Sequence, residues 1–422
     1  MKAPELLAPA GNLRNLHYAI AYGADAVYAG MPRYSLRVRN NDFNSLDKLA
    51  AGIEAAHAQG RRFFLASNVL PHNSKLKTFL DDMAQVVALG PDALIMADPG
   101  LILLVRERWP GMPIHLSVQA NTMNWASVRF WQQLGIRRII LSRELSLDEV
   151  EEIRQRCPDM ELEVFVHGAL CIAYSGRCLL SGYFNHRDAN QGACTNACRW
   201  DYRVHAATTD ASGDVRLLEE SERPGEYMPV EEDEHGTYIM NSKDLRAVEH
   251  VERLVRMGID SLKIEGRTKS HYYVARTVQV YRRAIDDALA GRPFDPGLLG
   301  ALENLANRGY TDGFFQRHHS HEYQNYLQNH SNSLRQRFVG ELAGYDAASG
   351  LAEVEVKNRF GVGDELELIA PGGNRTFVLK DLRDKDGRPV QAVPGGGHRV
   401  WMPLEPGDYA MGLLARKLPA AS

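Results

Sequence analysis

The chain has 422 residues and a formal net charge of −4, which allows two or three domains with a sizeable core. Its apolar fraction is 44% and its charged fraction 24%, both ordinary for a globular protein in water. We expect no membrane association, because no apolar run approaches the length of a membrane span, and the N-terminus lacks a secretory signal. Five cysteines are too few for a secreted disulfide framework, so we expect a cytoplasmic protein.

Short apolar runs alternate with amphipathic segments over residues 1–270, as buried parallel strands do with helices. The predicted helices between the runs include 13–23 and two that begin after Ser45 and Ser146 as N-caps. Two more are expected at 240–258 and 271–291. The evenly spaced runs favour a TIM-type (β/α)8 barrel over a doubly wound sheet. They are 5–10, 26–30, 62–68, 93–98, 113–121, 137–143, 161–168 and 261–267.

The barrel domain is predicted to cover 1–330, and its last residues overlap a polar linker at 319–337. The connection between strands seven and eight is too long for a barrel loop and contains an insertion at 169–239. The acidic second half of this insertion predicts a mobile flap over the barrel, or a disordered loop. Beyond the linker, alternating apolar and polar residues with glycine-rich turns predict a small antiparallel β-barrel domain over 338–418.

Polar residues gather where the predicted strands end. Barrel enzymes place their chemistry at the C-terminal ends of the strands, although loops also tend to begin with polar residues. Polar groups at most of the strand ends therefore favour a functional mouth. They are Asn68, Asp98, Gln119, Asn121, Arg143, Glu144, His167, Glu265 and Arg267.

Four cysteines cluster in the insertion, in the order Cys171-x6-Cys178-x15-Cys194-x3-Cys198. Disulfides fit poorly with a cytoplasmic chain. A structural zinc site usually shows tighter cysteine pairs than most of these, whereas a [4Fe–4S] cluster tolerates more varied spacing. Buried free thiols remain an alternative. Cys157 precedes strand seven, at the opposite end of the barrel, and is given no role in a site.

The N-terminal region is locally basic although the chain as a whole is acidic. Residues 1–80 carry ten Lys and Arg against five Asp and Glu. Arg33, Arg37 and Arg39 lie in one short loop. The loop is either a solvated surface or a contact with nucleic acid.

The residues around the first two cysteines form a long pattern, E-x-F-x2-G-A-L-C-x4-G-x-C-x-L-S, at 163–181. This pattern resembles the signature of the collagenase-like U-type peptidase family. Stretches at 243–245 and 261–270 resemble the same family, as do others from the N-terminus to the C-terminal β domain. The resemblance therefore covers nearly the whole chain.

The resemblance is strongest to a branch of the family that hydroxylates tRNA. It implies a prephenate-dependent reaction that forms 5-hydroxyuridine at the anticodon wobble position, with prephenate as co-substrate. Other branches hydroxylate an rRNA cytidine or the ubiquinone ring, and the ubiquinone branch carries [4Fe–4S] clusters. Cys171 and Cys178 match its first cysteine pair, while the spacing of Cys194 and Cys198 departs from it. The resemblance thus implies four cluster ligands and leaves the electron donor unidentified.

The implied reaction assigns roles to residues at the mouth. The two carboxylates of prephenate need cationic partners, and a general acid or base would act nearby. The uridine would be splayed out and stacked on an aromatic ring, while basic residues and the β domain would hold the tRNA anticodon loop and body. The substrate-binding candidates are Arg143, Lys263, Arg267, Gln119 and Asn68; the acid or base is His167; the stacking candidates are Tyr34, Tyr174 and Trp200; and the RNA-binding candidates are Arg33, Arg37, Arg39, Lys75 and Lys77.

Alternatives remain open for these residues and for the function. Lys263 would instead pair with Glu265 or pack inside the barrel, and His167 would be a buried core residue. The family label keeps a collagenase-like peptidase in view, with His167 as the partner of one cysteine. The sequence contains neither H-E-x-x-H nor G-x-S-x-G. A non-catalytic tRNA-binding scaffold is the third possibility.

Overall fold

The structure is a computed structural model of the chain. No helix among the described residues is both long and apolar enough to cross a bilayer. The described residues are 2–36, 42–170, 178, 181, 195, 197–200, 202–206, 216–220, 224, 227–230, 243–305, 309–316 and 336–418.

A closed barrel of eight parallel strands occupies the first domain, as predicted. The strands of this domain are β1 (Glu5–Pro9), β2 (Ala26–Gly30), β3 (Arg62–Ser67), β4 (Ala93–Met96), β5 (Ile114–Leu116), β6 (Arg138–Ile140), β7 (Glu161–Ala169), β8 (Tyr202–Ala206), β9 (Arg216–Glu220), β10 (Tyr227–Val230), β11 (Asp244–Arg246), β12 (Ser261–Ile264) and β13 (Tyr310–Thr311). Strands β1 to β7 pair in chain order, and β12 pairs with both β1 and β7 to close the ring.

Helices surround the barrel and begin close to the predicted positions. Ser45 and Ser146 are N-caps, and Ser146 forms a capping box with Glu149. The helices are α1 (Leu13–Ala21), α2 (Leu46–His57), α3 (Asn73–Ala88), α4 (Pro99–Arg108), α5 (Trp125–Gln133), α6 (Leu147–Arg156), α7 (Val251–Met257), α8 (His271–Leu289) and α9 (Gly297–Glu303).

The segment 240–258 is not the single helix that its periodicity predicts. Strand β11 comes first and pairs antiparallel with the end of β7, and α7 begins only at Val251. Strand β7 continues past the barrel wall to Ala169, so β11 covers an edge that would otherwise be unpaired. In the insertion, β8, β9 and β10 form a three-stranded antiparallel sheet.

Buried charges fill part of the barrel interior. Arg138 lies 2.5 Å from Glu5 and 3.2 Å from Glu163, and the ammonium of Lys263 lies 2.8 Å from Glu163. Burial raises the pKa of Glu163, but the positive charges of Lys263 and Arg138 outweigh it and lower that pKa. Such charges are tolerated in an interior because each is paired. Lys263 therefore packs inside the barrel, with Glu163 as its partner.

The C-terminal domain is antiparallel β structure and begins at residue 336. Its strands are β14 (Gln336–Asp346), β15 (Leu351–Val356), β16 (Asn358–Gly361), β17 (Glu365–Ala370), β18 (Gly373–Val378), β19 (Ala392–Gly395), β20 (Arg399–Pro403) and β21 (Leu413–Lys417). Six of them form a sheet in the order β18-β17-β21-β14-β15-β20, and β16 pairs with β19. The apolar faces of the sheet and of this pair enclose one core. Strand β21, which no predicted strand anticipated, lies in the middle of the sheet.

The two domains share a packed and hydrogen-bonded interface. Arg276 of α8 is buried and makes two hydrogen bonds to the carboxylate of Glu367 on β17, at 2.8 and 2.6 Å. Tyr272, at the start of α8, stacks on Phe338 of β14 with ring centroids 4.8 Å apart. The hydroxyl of Tyr22 donates to the backbone of the β domain. The β domain is therefore fixed against the outer helices of the barrel.

Candidate active site

The loop that follows β2 meets the loop that follows β12 at the C-terminal end of the barrel. The guanidinium of Arg267 donates to the Leu36 carbonyl at 2.7 Å and lies 5.9 Å from the Tyr28 ring centroid. Gly30 gives it room, because a Cβ there would lie 2.5 Å from an Arg267 nitrogen. Asn68 accepts from the Leu36 backbone at 3.2 Å. Arg267 and Asn68, predicted separately as substrate-binding residues, thus hold the same short loop.

The neighbouring strand ends continue this mouth. The Asn68 amide donates to Ser117 at 3.3 Å, and Ser117 begins the short turn that carries the half-buried Gln119. Gln119 therefore lies next to Asn68 through a shared partner. Asp98 has a structural role, because its carboxylate accepts a hydrogen bond from the Leu101 backbone N–H and caps α4.

Arg143 connects the mouth to the cysteine segment. Its guanidinium donates to the Ala169 carbonyl at 2.9 Å, two residues before Cys171. The same group lies 4.0 Å from the centroid of the Phe165 ring, in cation–π contact. The end of β7, from which the chain continues into the cysteine segment, is therefore held at the rim of the barrel beside a half-buried cation.

Several buried polar atoms at this end have no hydrogen-bond partner among the described residues. Buried polar groups are normally satisfied, so these atoms at the same end of the barrel are available to a polar ligand or to bound water. One of them is the last residue of β3, and the others follow β2, β5 and β6. They are Ser35 Oγ, Ser67 Oγ, Thr122 Oγ1 and Arg143 Nε.

Two of the four predicted cluster ligands lie among the described residues. Cys178 and Cys198 are both half-buried, whereas Cys171 and Cys194 lie outside the described residues. The backbone N–H of Thr195 donates to Ser181 Oγ at 3.0 Å, and the two hydroxyls are also 3.0 Å apart. These bonds join the chain three residues after Cys178 to the residue that follows Cys194. The two halves of the cysteine segment therefore meet, which fits a shared set of thiolate ligands.

Cys157 is separate from this group. It is buried at the C-terminal end of α6, and its thiol lies 3.6 Å from the Trp125 carbonyl. This is the end of the barrel opposite the mouth, as the sequence predicted.

His167 does not face the mouth. The register of β7 against β12 shifts at this point, where Lys263 is opposite Phe165 but Ile264 is opposite His167. The ring of His167 therefore lies among Tyr273, Tyr281 and Tyr310, with centroids 5.5 to 5.8 Å away.

Its protonation state follows from that burial. Nδ1 of His167 is 3.3 Å from the Tyr281 hydroxyl. Burial lowers the pKa of His167 to about 3, so the ring is neutral at neutral pH. A packed neutral histidine matches the core alternative better than the predicted acid or base.

The structure brings Arg33 and Lys75 of the predicted RNA-binding residues together and buries one of the predicted stacking residues. Arg33 is exposed, but its guanidinium pairs with Asp82 at 2.9 Å, and Lys75 lies beside the Arg33 carbonyl. Lys77 is exposed on α3, and Arg37 and Arg39 lie outside the described residues. Tyr34 is fully buried against Phe79, which rules it out as an open stacking platform.

Trp200 is half-buried, and Tyr174 lies outside the described residues. Sequence reasoning missed the hydroxyl groups of the mouth and the pair formed by Ser181 and Thr195. A serine or threonine beside a strand end is too common to single out without the fold. The only available signal was that Ser181 ends the family-like pattern.

Comparison with protein families gives matches over both domains. The model of Peptidase family U32 matches residues 11–325, and the model of the Peptidase family U32 C-terminal domain matches residues 335–416.

Curated relatives cover similar lengths. The tRNA hydroxylation protein P of Escherichia coli is 60% identical, over 96% of this chain and 94% of its own. The tRNA hydroxylation protein P1 of Bacillus subtilis is 37% identical, over 93% of this chain and 90% of its own. A 23S rRNA 5-hydroxycytidine synthase of Escherichia coli is 33% identical, over 74% of this chain and 42% of its own.

Proposed function

Because the chain belongs to Peptidase family U32 and its relatives are named for hydroxylation of tRNA and rRNA, we propose that it is a tRNA-modifying hydroxylase. Its substrate is the wobble uridine of the anticodon, and its product is 5-hydroxyuridine. The observation that carries the proposal is the position of Arg143. Its guanidinium donates to the Ala169 carbonyl, two residues before Cys171, and its buried Nε has no hydrogen-bond partner among the described residues.

Prephenate is the proposed co-substrate, and the mouth carries the groups that its carboxylates need. Arg143 follows β6 and Arg267 follows β12, with β7 between these two strands, and both are half-buried cations. Guanidinium groups bind carboxylates with two parallel hydrogen bonds. The hydroxyls of Ser35, Ser67 and Thr122 supply further hydrogen bonds. Lys263 is left out of this set because Glu163 already neutralises its charge inside the barrel.

A [4Fe–4S] cluster is the proposed cofactor, held by Cys171, Cys178, Cys194 and Cys198. The contact between Ser181 and Thr195 supports this ligand set because it joins the two cysteine-bearing halves. A cluster at the mouth supplies one-electron transfer or a Lewis-acidic iron. The protein's own groups then have two tasks, which are to orient the co-substrate carboxylates and to keep bulk water from the reacting base.

The proposal is tested by reacting purified protein with unmodified tRNA and prephenate under anaerobic conditions and analysing the nucleosides by mass spectrometry. We expect 5-hydroxyuridine at the wobble position and about four irons per chain. We expect Arg143→Gln to lower kcat/KM for prephenate by about tenfold or more, because a charged hydrogen bond is lost.

Arg137→Gln is the matched control for Arg143→Gln. Arg137 is also an arginine next to β6, but it precedes this strand and so lies at the end of the barrel opposite the mouth. Its guanidinium pairs with Glu161 at 3.0 Å. Its variant should react at the unaltered rate. If wild-type protein binds tRNA but forms no hydroxyuridine with prephenate, the scaffold alternative replaces the enzyme. Cleavage of a collagen-like peptide by the same preparation would instead support the peptidase alternative. The burial of His167 among three tyrosines disfavours that alternative.

A further inference from the structure

Three arginines line an open pocket of about 350 Å³ on the C-terminal domain, far along the chain from the proposed active site. They are Arg337 on β14, Arg359 on β16 and Arg416 on β21. Asp364 is the acidic residue that lines the pocket with them. The pocket therefore carries an excess of positive charge.

Two of these arginines are placed directly opposite each other. Arg337 and Arg416 are partners in the antiparallel pairing of β14 with β21, so their side chains leave the same face of the sheet. Like charges in this arrangement destabilise a sheet. An anion bound between the two guanidinium groups would relieve this repulsion.

The counter-charge within the pocket is incomplete. Among the described residues, no carboxylate lies at ion-pair distance from Arg337 or Arg359. Arg416 lies 3.5 Å from Asp364, whose carboxylate also accepts from the Gly361 backbone at 2.8 Å. The Nε atom of Arg416 is buried and has no hydrogen-bond partner in the part of the chain that the structure describes.

Three other cations of the same domain each pair with a carboxylate. Arg375 pairs with Glu405 at 2.6 Å, and Arg399 pairs with Glu353 at 2.7 Å. Lys417, the neighbour of Arg416, pairs with Glu365 at 2.6 Å. The unpaired guanidiniums are therefore concentrated in the pocket.

We propose that this arginine pocket binds a backbone phosphate of the RNA substrate, which rests on the proposed function. Guanidinium groups match phosphate oxygens with paired, charge-assisted hydrogen bonds, and phosphate contacts position a nucleic acid without reading its sequence. Phe338, next to Arg337, stacks on Tyr272 in the first turn of α8. That helix follows β12, so its first turn lies at the end of the barrel that holds the mouth. Arg337 leaves the opposite face of β14 from Phe338, because consecutive strand residues point to opposite faces. The pocket therefore lies on the side of this sheet that faces away from α8.

The test uses the full-length protein and the double variant Arg337→Gln/Arg359→Gln, since both side chains are exposed and should not be needed for folding. The dissociation constant for tRNA is measured over a series of salt concentrations. We expect about tenfold weaker binding and a salt slope smaller by roughly one to two, because each lost phosphate contact removes about one released counterion. KM for tRNA should rise while kcat is kept.

The double variant Arg375→Gln/Arg388→Gln is the control, because it removes the same charge from exposed positions of the same domain. It should bind tRNA with nearly the wild-type constant and slope. Equal affinities and slopes for the two double variants would overturn the proposal.

Inorganic phosphate separates RNA from a small phosphate compound as the occupant. If phosphate stabilises the wild type but not Arg337→Gln/Arg359→Gln, while tRNA binding is identical in both, the RNA assignment is wrong. Failure of this inference can also be distinguished from failure of the proposed function. If the protein binds tRNA through the pocket but forms no hydroxyuridine, the phosphate-binding inference stands and the proposed enzymatic function is wrong.

Discussion

At the scale of single residues, His167 and Gly168 show how the family-like pattern serves the fold. Gly168 has a φ of +108°, and a Cβ at this position would lie 2.6 Å from the Glu265 carbonyl oxygen. Only glycine fits such a conformation and approach without strain. The neighbouring His167 is turned into its group of three tyrosines. This part of the pattern therefore shapes the exit from the barrel.

The burial of His167 makes stability depend on pH. The pKa of His167 is lowered to about 3 in the folded protein, against about 6.5 in the unfolded chain. Below pH 6.5 the unfolded chain binds a proton that the folded protein excludes, so stability falls as pH falls from 6.5 toward 3. At pH 5 the cost is about 2 kcal/mol. His167→Gln should remove about that much of the pH 7 to pH 5 difference in urea denaturation.

His398→Gln is the control, because His398 is exposed in the C-terminal domain. It should leave the pH difference as it is in the wild type. An unaltered difference in His167→Gln would mean that the ring is protonated within the folded protein.

At the scale of elements, the insertion depends on two kinds of contact. Strand β11 covers the projecting end of β7, and Arg143 holds the last residue of β7 at the rim. Farther along, Ser181 is buried and receives the Thr195 backbone N–H. The first two contacts hold the two ends of the long connection at the rim of the barrel, and the third joins the chain near Cys178 to the chain near Cys194.

Ser181→Ala should weaken the proposed cluster site without touching a ligand. The substitution leaves the Thr195 N–H without its acceptor, and an unsatisfied group of this kind costs about 1–3 kcal/mol. We expect iron to be lost to a chelator about fivefold faster or more, followed by absorbance and by iron content.

Ser74→Ala, at an exposed position of α3, is the matched control and should keep its iron. Equal iron loss from both variants would show that the link between the two cysteine halves does not support metal binding.

At the scale of the whole molecule, the interface between the domains rests on a buried ion pair. Only 2% of the Arg276 side chain is exposed, and Glu367 receives hydrogen bonds from both Arg276 and Gln336. The positive charge of Arg276 and these hydrogen bonds outweigh burial and lower the pKa of Glu367. The interface thereby fixes the arginine pocket relative to the barrel.

Glu367→Ala should destabilise the protein by about 3–5 kcal/mol, because it leaves the charge of Arg276 buried and unpaired. Chemical denaturation followed by tryptophan fluorescence measures the loss. Glu365→Ala, two residues earlier on the same strand, removes an exposed pair with Lys417 and should cost about 1 kcal/mol or less. Similar losses in the two variants would mean that the interface does not depend on this pair.

The sequence by itself determined the barrel, the two domains and the main helix starts. Buried parallel strands need continuous apolar runs and helix starts need capping side chains, and both requirements are local. For this reason the run at 26–30 and the caps at Ser45 and Ser146 are found where they were predicted. The positions of Arg143, Arg267, Asn68 and Gln119 at the mouth followed from the same strand assignments.

Only the tertiary structure decided which residues face each other. The register shift that turns His167 away, the pairing of Lys263 with Glu163, and the meeting of Ser181 with Thr195 all join segments distant in the chain. The arginine pocket likewise collects residues from three strands. Local periodicity reports that a side chain is buried, but the partner it is buried against depends on strand register and domain packing.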